Sequence, residues 1–243
     1  MHNFLHLIIF FLFCGGVTVS YYILNFILNR ISPSYKKISP PHKKFYVRSN
    51  LIKGGLLGIW SPYAMNLLYT MSLYDTYDKH QLKILSALYA SLDSVSLFMV
   101  PKMQLNTIIH HIAVLLLYLY CLYYDFNLVG LIRIIIVYAI WSTLAYPVNL
   151  LLALRVYISR KNYFVHLLCQ WSFFKYLVCC ILNWSYQIYS LYNFWLIDDF
   201  GVGCWTYSIV MGLIVYDDIV LMHYLRKRIT SYKYIKNKEN VKI

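Results

Sequence analysis

Long apolar stretches recur along the whole chain, and they constrain its fold more than any other feature. Seven of them reach about 18 residues or more, which is the length that crosses a bilayer as a helix. Only 13% of the residues are charged, against about 25% in soluble domains. The sequence therefore predicts an all-α, polytopic membrane protein with about seven transmembrane helices, over residues 4–28, 51–73, 83–100, 103–124, 128–153, 163–190 and 201–223.

The basic residues predict the orientation of these spans. With seven crossings, 18 of the 22 Lys and Arg residues fall on one side, while the opposite loops carry acidic residues. Cytosolic segments of membrane proteins are enriched in Lys and Arg. We therefore expect a lumenal or external N-terminus and a cytosolic C-terminus. The acidic residues of the opposite loops are Asp75, Asp78, Asp125, Asp198 and Asp199.

The net charge of +13 does not indicate nucleic-acid binding, because the bases flank the membrane spans. Contact with anionic lipid head groups accounts for them better. Residues 1–44 are predicted to be an anchor span followed by a basic cytosolic loop, and residues 226–243 a basic cytosolic tail. No Lys or Arg precedes the first apolar run, which continues through Leu28, so we expect a retained anchor rather than a cleaved signal peptide.

The six cysteines form no C-x-x-C pair. The sequence therefore predicts neither a structural zinc site nor a disulfide framework, and it indicates no cofactor. We expect the cysteines to act as small buried hydrophobic residues.

Several ionisable residues are predicted to share one layer near the cytosolic side. Asp93 and His110 stand equally far from the turn at Pro101 and Lys102, so each lies about 13 Å deep on neighbouring antiparallel helices. His111 follows directly, and the seventh span carries Asp217 and Asp218 on the order of 12 Å deep by the same rise per residue. Charged side chains are costly inside a bilayer, so we expect an enclosed polar chamber, to which Lys175, Ser142, Thr143 and Asn149 also contribute.

Three interpretations of this layer stay open. The residues could be buried contacts that hold helices together, with His110 or His111 bonded to Asp93. They could form a reaction centre, in which a neutral imidazole acts as general base or nucleophile and a carboxylate orients it. They could also hold a metal ion, although adjacent histidines lack the i, i+4 spacing that places two ligands on one helix face.

An Asp in one span, a short basic turn, "HHI" in the next span and "WSTLAYPVN" in the following one resemble the TLC domain family. The resemblance covers about residues 45–225. It implies a six-helix barrel, formed by spans two to seven around a lipid-sized tunnel, with the His pair inside. His110, His111 and Asp93 would be the site residues, and Asp217 and Asp218 weaker candidates.

In ceramide synthases, which belong to this family, such a site joins a fatty acyl-CoA to a long-chain amine. The resemblance therefore implies an acyl-CoA-dependent N-acyltransferase with membrane lipids as partners, resident in the endoplasmic reticulum. The signature of these enzymes continues with acidic residues where the fifth span here has Ser142 and Thr143. The alternatives are a non-catalytic lipid-binding protein that regulates membrane composition, and a structural partner in a membrane complex.

Overall fold

The computed structural model describes residues 2–74, 76–126, 130–158, 162–196 and 201–240, with side chains described between residues 4 and 230 of those ranges. Within these residues every regular element is a helix, which confirms the all-α prediction. The helices are α1 (His2–Ile31), α2 (Pro33–Lys36), α3 (His42–Leu73), α4 (Lys79–Met99), α5 (Leu105–Tyr123), α6 (Leu131–Leu144), α7 (Pro147–Tyr157), α8 (Tyr163–Leu196) and α9 (Val202–Asn240).

Several of these helices suit a membrane. Five of the described helices are long and apolar enough to cross a bilayer, and α6 with α7 would make a sixth if the two form one span. These helices support an integral, multi-pass membrane protein. The predicted second span falls on α3, which is not among them and which begins within the basic loop, so that it carries Lys43, Lys44, Arg48 and Lys53. The count of seven crossings stays a prediction.

The predicted fifth span, residues 128–153, is not one continuous helix. Helix α6 ends at Leu144, α7 begins at Pro147, and their axes differ by 41°. A proline has no amide hydrogen, and its ring clashes with the carbonyl four residues earlier, so it ends one helix and favours the first position of the next. Pro147 therefore divides this apolar stretch.

Helix α4 lies at the centre of the packing. Of its most apolar 18-residue window, 72% is buried, against 17–28% in the other four candidate spans. Its small side chains, among them Ala87, Ala90, Ser91 and Ser94, are buried. Small residues allow close helix approach in membranes, and α1 packs extensively along α4.

The remaining contacts join the helices in a cycle. Helix α3 packs on α4, α4 on α5, α5 on α9, α9 on α8, and α8 on the α6–α7 pair, which returns to α3. Helix α1 packs on α3 and α4. The outward faces carry large apolar side chains such as Phe11, Phe174 and Ile209, each more than 60% exposed, as lipid contact would require.

Candidate functional site

A buried ionic centre lies where α3, α4 and α5 meet. Asp93 on α4 is completely buried. Its Oδ1 forms an ion pair with the ammonium group of Lys53 on α3, and the same oxygen lies 3.0 Å from Nδ1 of His111 on α5. The predicted proximity of Asp93 to one of the two histidines is therefore present in the structure.

His110 completes the cluster from the same helix. Its ring centroid lies 5.8 Å from that of His111, and the two ring planes are 78° apart. Adjacent residues on a helix point about 100° apart, so only His111 faces Asp93 directly. The His110 side chain is half-buried, but its Nδ1 is enclosed by protein.

Three polar atoms of this cluster lack a well-aligned hydrogen bond. They are Oδ2 of Asp93 and the Nδ1 atoms of His110 and His111. The His111–Asp93 contact is short enough for a hydrogen bond, but its angles do not meet hydrogen-bond geometry. A buried polar group without a partner costs about 1–3 kcal/mol, so the centre retains hydrogen-bonding capacity for a ligand.

The same residues could hold a metal ion. Asp93, His110 and His111 each offer one ligand atom, and these atoms lie within 4.8 Å of one another. However, Lys53 already places a positive charge on Asp93 Oδ1, and a metal cation at the same carboxylate would be repelled by it. The electrostatics of the described residues therefore favour a metal-free centre.

Lys53 was not predicted from the sequence as a site residue, because its charge was counted only with the basic residues of the cytosolic side. Its ammonium group is enclosed by Asp93 and by the ring of Tyr89, whose centroid is 5.3 Å away. The available signal was its position inside the predicted span 51–73, where an ionisable residue requires a partner.

Asp217 and Asp218 lie in the same layer but are held by other residues. Asp218 accepts hydrogen bonds from the Tyr176 hydroxyl at 2.6 Å and from Nε1 of Trp184 at 3.3 Å. Asp217 accepts one from the side chain of Asn106, which stands one helical turn before His110. Among the described hydrogen bonds, neither carboxylate contacts the two histidines, although the Asp217 charge is close enough to interact with His111 and Lys53.

Further polar groups connect these two parts of the layer. Ser142 on α6 lies beside the hydroxyls of both Tyr89 and Tyr138. The phenol of Tyr138 is within electrostatic range of both Asp93 and Asp218. The polar layer thus includes side chains from α3, α4, α5, α6, α8 and α9.

Two of the predicted contributors have other contacts. Lys175 places its ammonium group over the ring of Tyr146, 4.2 Å from the centroid. The Thr143 hydroxyl donates to the Ala139 carbonyl of its own helix. Neither contact joins the ionic centre.

A narrow cavity lies beside the centre, between α4, α5 and α6. Its volume is about 30 Å³, and mainly apolar side chains line it together with Tyr89, Tyr118 and Tyr138. Pockets that hold small molecules usually measure about 300–1,000 Å³. A lipid chain could enter here only if these helices moved apart, so the lipid-sized tunnel implied by the resemblance stays a prediction.

Comparison of the chain with protein-family models, with curated proteins and with solved structures found no match. The resemblance to the TLC domain therefore depends on the residues quoted above and stays a prediction.

Proposed function

We propose that this protein handles membrane lipids and that Lys53, Asp93, His110 and His111 form its reaction centre. The proposed reaction is acyl transfer from acyl-CoA to a long-chain amine, as the TLC resemblance implies. The observation that carries the proposal is the completely buried Asp93 carboxylate, which pairs with Lys53 and lies 3.0 Å from Nδ1 of His111. Its second oxygen and Nδ1 of His110 have no hydrogen-bond partner among the described residues.

A purely structural cluster would be expected to satisfy its own hydrogen bonds. An ionised residue within a bilayer already costs about 2.5–3.5 kcal/mol, and each unpaired buried polar atom adds about 1–3 kcal/mol. The Tyr176–Asp218–Trp184 cluster in the same layer shows the contrast, because both Asp218 oxygens accept hydrogen bonds. A substrate that offers hydrogen-bond donors and acceptors to the Asp93 centre would pair these atoms and so remove their unfavourable contribution to stability.

The geometry at the centre suits a general base. The Asp93 carboxylate pairs with the Lys53 ammonium and lies 3.0 Å from Nδ1 of His111. With Nδ1 turned toward Asp93, the other ring nitrogen is the one that accepts a proton. Asp93 acts here as a positioning residue that sets the tautomer.

The proposed reaction moves the acyl group from the CoA sulfur to the amine nitrogen. Nε2 of His111 takes a proton from the acceptor amine while the amine nitrogen forms a bond to the thioester carbonyl carbon. The carbon–sulfur bond then breaks, and the CoA sulfur leaves with the proton that His111 returns. The products are an amide lipid and free CoA.

The helix contacts are compatible with a TLC-type barrel. The cycle of α3, α4, α5, α9, α8 and the α6–α7 pair corresponds to the six predicted spans, with α1 packed on α3 and α4. We further propose the orientation that the basic residues predict, with the C-terminus in the cytosol. The ionic centre would then be about 13 Å from the face that soluble acyl-CoA reaches.

A non-catalytic lipid-binding protein is the second candidate. Two observations favour it: the small volume of the cavity beside the centre, and Ser142 and Thr143 where the synthase signature has acidic residues. In such a protein the histidine pair would bind a lipid head group without transferring an acyl chain.

Lipid analysis of cells that express the protein would test the proposal. We expect the wild type to raise one class of long-chain amide lipid, and His111→Gln to abolish this rise at equal expression. His223→Gln is the matched control, because His223 is an exposed histidine on α9. If wild type and His111→Gln raise the same lipids equally, the binding function replaces the enzyme. If neither changes any lipid, the proposed function fails.

A further inference from the structure

A second pocket lies at the predicted cytosolic end of the molecule. It has a volume of about 660 Å³, which lies within the usual range for ligand sites. It is formed by α2 and the segment that follows, the start of α3, the end of α7 and one face of α9. The lining residues are Ser34, Lys37, Ile38, Ser39, Lys43, Arg155, Val156, Tyr157, Tyr224 and Arg228.

Among the residues that the structure describes, the lining carries four positive charges and no carboxylate. The bases are Lys37, Lys43, Arg155 and Arg228. These side chains come from four separate segments of the chain, so the fold brings like charges together against their mutual repulsion. Such an arrangement is favourable only when an anion or water screens the charges.

The two arginines are held in place by neutral partners. Arg155 donates to the Tyr46 hydroxyl at 3.0 Å, and its guanidinium lies 4.5 Å from the centroid of the Tyr224 ring. Arg228 donates from Nη1 to the Tyr224 hydroxyl at 2.9 Å. Tyrosine contacts fix the orientation of both guanidinium groups but leave their charges uncompensated.

Arg228 also has an unused donor. Its Nη2 is enclosed by protein and has no hydrogen-bond partner among the described residues. A guanidinium group presents a planar fork of donors that matches two oxygens of a phosphate. This nitrogen is closed off from solvent in the structure, so an anionic oxygen would reach it only after a shift of the side chains that enclose it.

We propose that this pocket binds a compound with several phosphate groups, either a soluble phosphate ester or the phosphorylated head group of a lipid. Four bases match the charge of two or more phosphates, and the serine and tyrosine hydroxyls add neutral donors for the remaining oxygens. This inference goes beyond the proposed function and holds whether or not the histidine centre is catalytic.

General attraction to an anionic membrane surface is the alternative account of the same charges. It would depend on the number of bases near the membrane and not on their geometry. The pocket predicts the opposite, because four bases among the described residues converge on one volume. Neighbouring bases outside the pocket provide controls with the same change of charge.

The test uses the purified full-length protein and two forms of the ligand. Calorimetry measures binding of soluble inositol trisphosphate. Co-flotation measures binding of the protein in detergent to phosphatidylcholine vesicles with a phosphoinositide, or with phosphatidylserine at equal charge. The pocket variants are Lys37→Gln and Arg228→Gln. Their controls are Lys36→Gln and Arg226→Gln, since Lys36 and Arg226 are exposed and do not line the pocket.

We expect Arg228→Gln to weaken phosphate binding about tenfold or more, because it removes charged hydrogen bonds, and the controls to stay within about twofold because exposed charges are screened. Arg155→Lys keeps the positive charge but removes the planar set of hydrogen-bond donors that a guanidinium group offers. Unfolding temperatures of all variants show whether any of them has lost its fold. Binding of the soluble ester identifies a free phosphate compound, and binding only to phosphoinositide vesicles identifies a lipid. Equal effects of pocket and control variants, equal binding to phosphatidylserine, or no binding would overturn the proposal.

Discussion

Removal of the Lys53 ammonium group should destabilise the protein strongly. The Asp93 side chain is 0% exposed and that of Lys53 13% exposed, so water cannot replace the lost partner. Breaking a buried ion pair by removing one member costs about 3–5 kcal/mol. We therefore expect Lys53→Met to lower the free energy of unfolding by that amount. The double variant Lys53→Met/Asp93→Asn removes both charges, and it should be more stable than Lys53→Met by at least about 2 kcal/mol.

Unfolding by added dodecyl sulfate in mixed micelles would measure these free energies for the wild type, both single variants and the double variant. Lys36→Met is the control, because Lys36 is exposed, and it should change stability by less than about 0.5 kcal/mol. Additive losses in the double variant would refute the ion pair, since independent residues show no coupling energy.

Three further predictions test the packing, the surface charges and the orientation. Gly54→Ala should cost about 1–3 kcal/mol by the same unfolding assay, because a Cβ at Gly54 would lie 2.7 Å from the Leu150 side chain. Gly55→Ala is the control, because a Cβ at Gly55 meets nothing within 4 Å, and it should be neutral or stabilising. If both variants lower the free energy of unfolding equally, the close contact of α3 with α7 is contradicted. Hydrogen bonds from two lysines at the start of α4 lower the pKa of Asp125 to about 2. The ionised Asp125 should therefore stabilise the fold, by less than about 1 kcal/mol at this exposed site, and this stabilisation should be complete above pH 4 and lost between about pH 4 and 2. Asp125→Asn should abolish that part of the pH dependence of stability. Glycosylation acceptors introduced into residues 29–53 should stay unmodified in microsomes, and their modification would reverse the proposed orientation.

The relative level of residues on neighbouring helices could be predicted from the sequence, because helix rise is constant and a short turn sets two antiparallel helices at the same level. This is why Asp93 was expected to meet His110 or His111, and why Asp217 and Asp218 were expected in the same layer. Asp217 accepts a hydrogen bond from the side chain of Asn106, which lies one helical turn from His110. Depth alone does not say which way a side chain points, and so the separate partners of Asp218 could not be predicted.

The sequence also could not predict which helices lie side by side. Nothing in the spacing of α3 indicates that Lys53 faces Asp93 and not the basic loop, because the pairing depends on which helices lie side by side. Close approach at Gly54, where α3 contacts Leu150 of α7, helps to set that arrangement. The division of the fifth span, in contrast, had a visible cause in Pro147.

Release of free CoA by the purified protein tests the central claim most directly. The wild type, His111→Gln, Asp93→Asn and a double-histidine variant would each receive acyl-CoA with a panel of long-chain amines and alcohols. We predict that the wild type releases CoA with at least one acceptor and that His111→Gln lowers the rate by about 10²–10⁴-fold, the usual contribution of a general base. If the wild type releases no more CoA than the double-histidine variant with any acceptor, acyl transfer at this centre is contradicted, and the lipid-binding function takes its place.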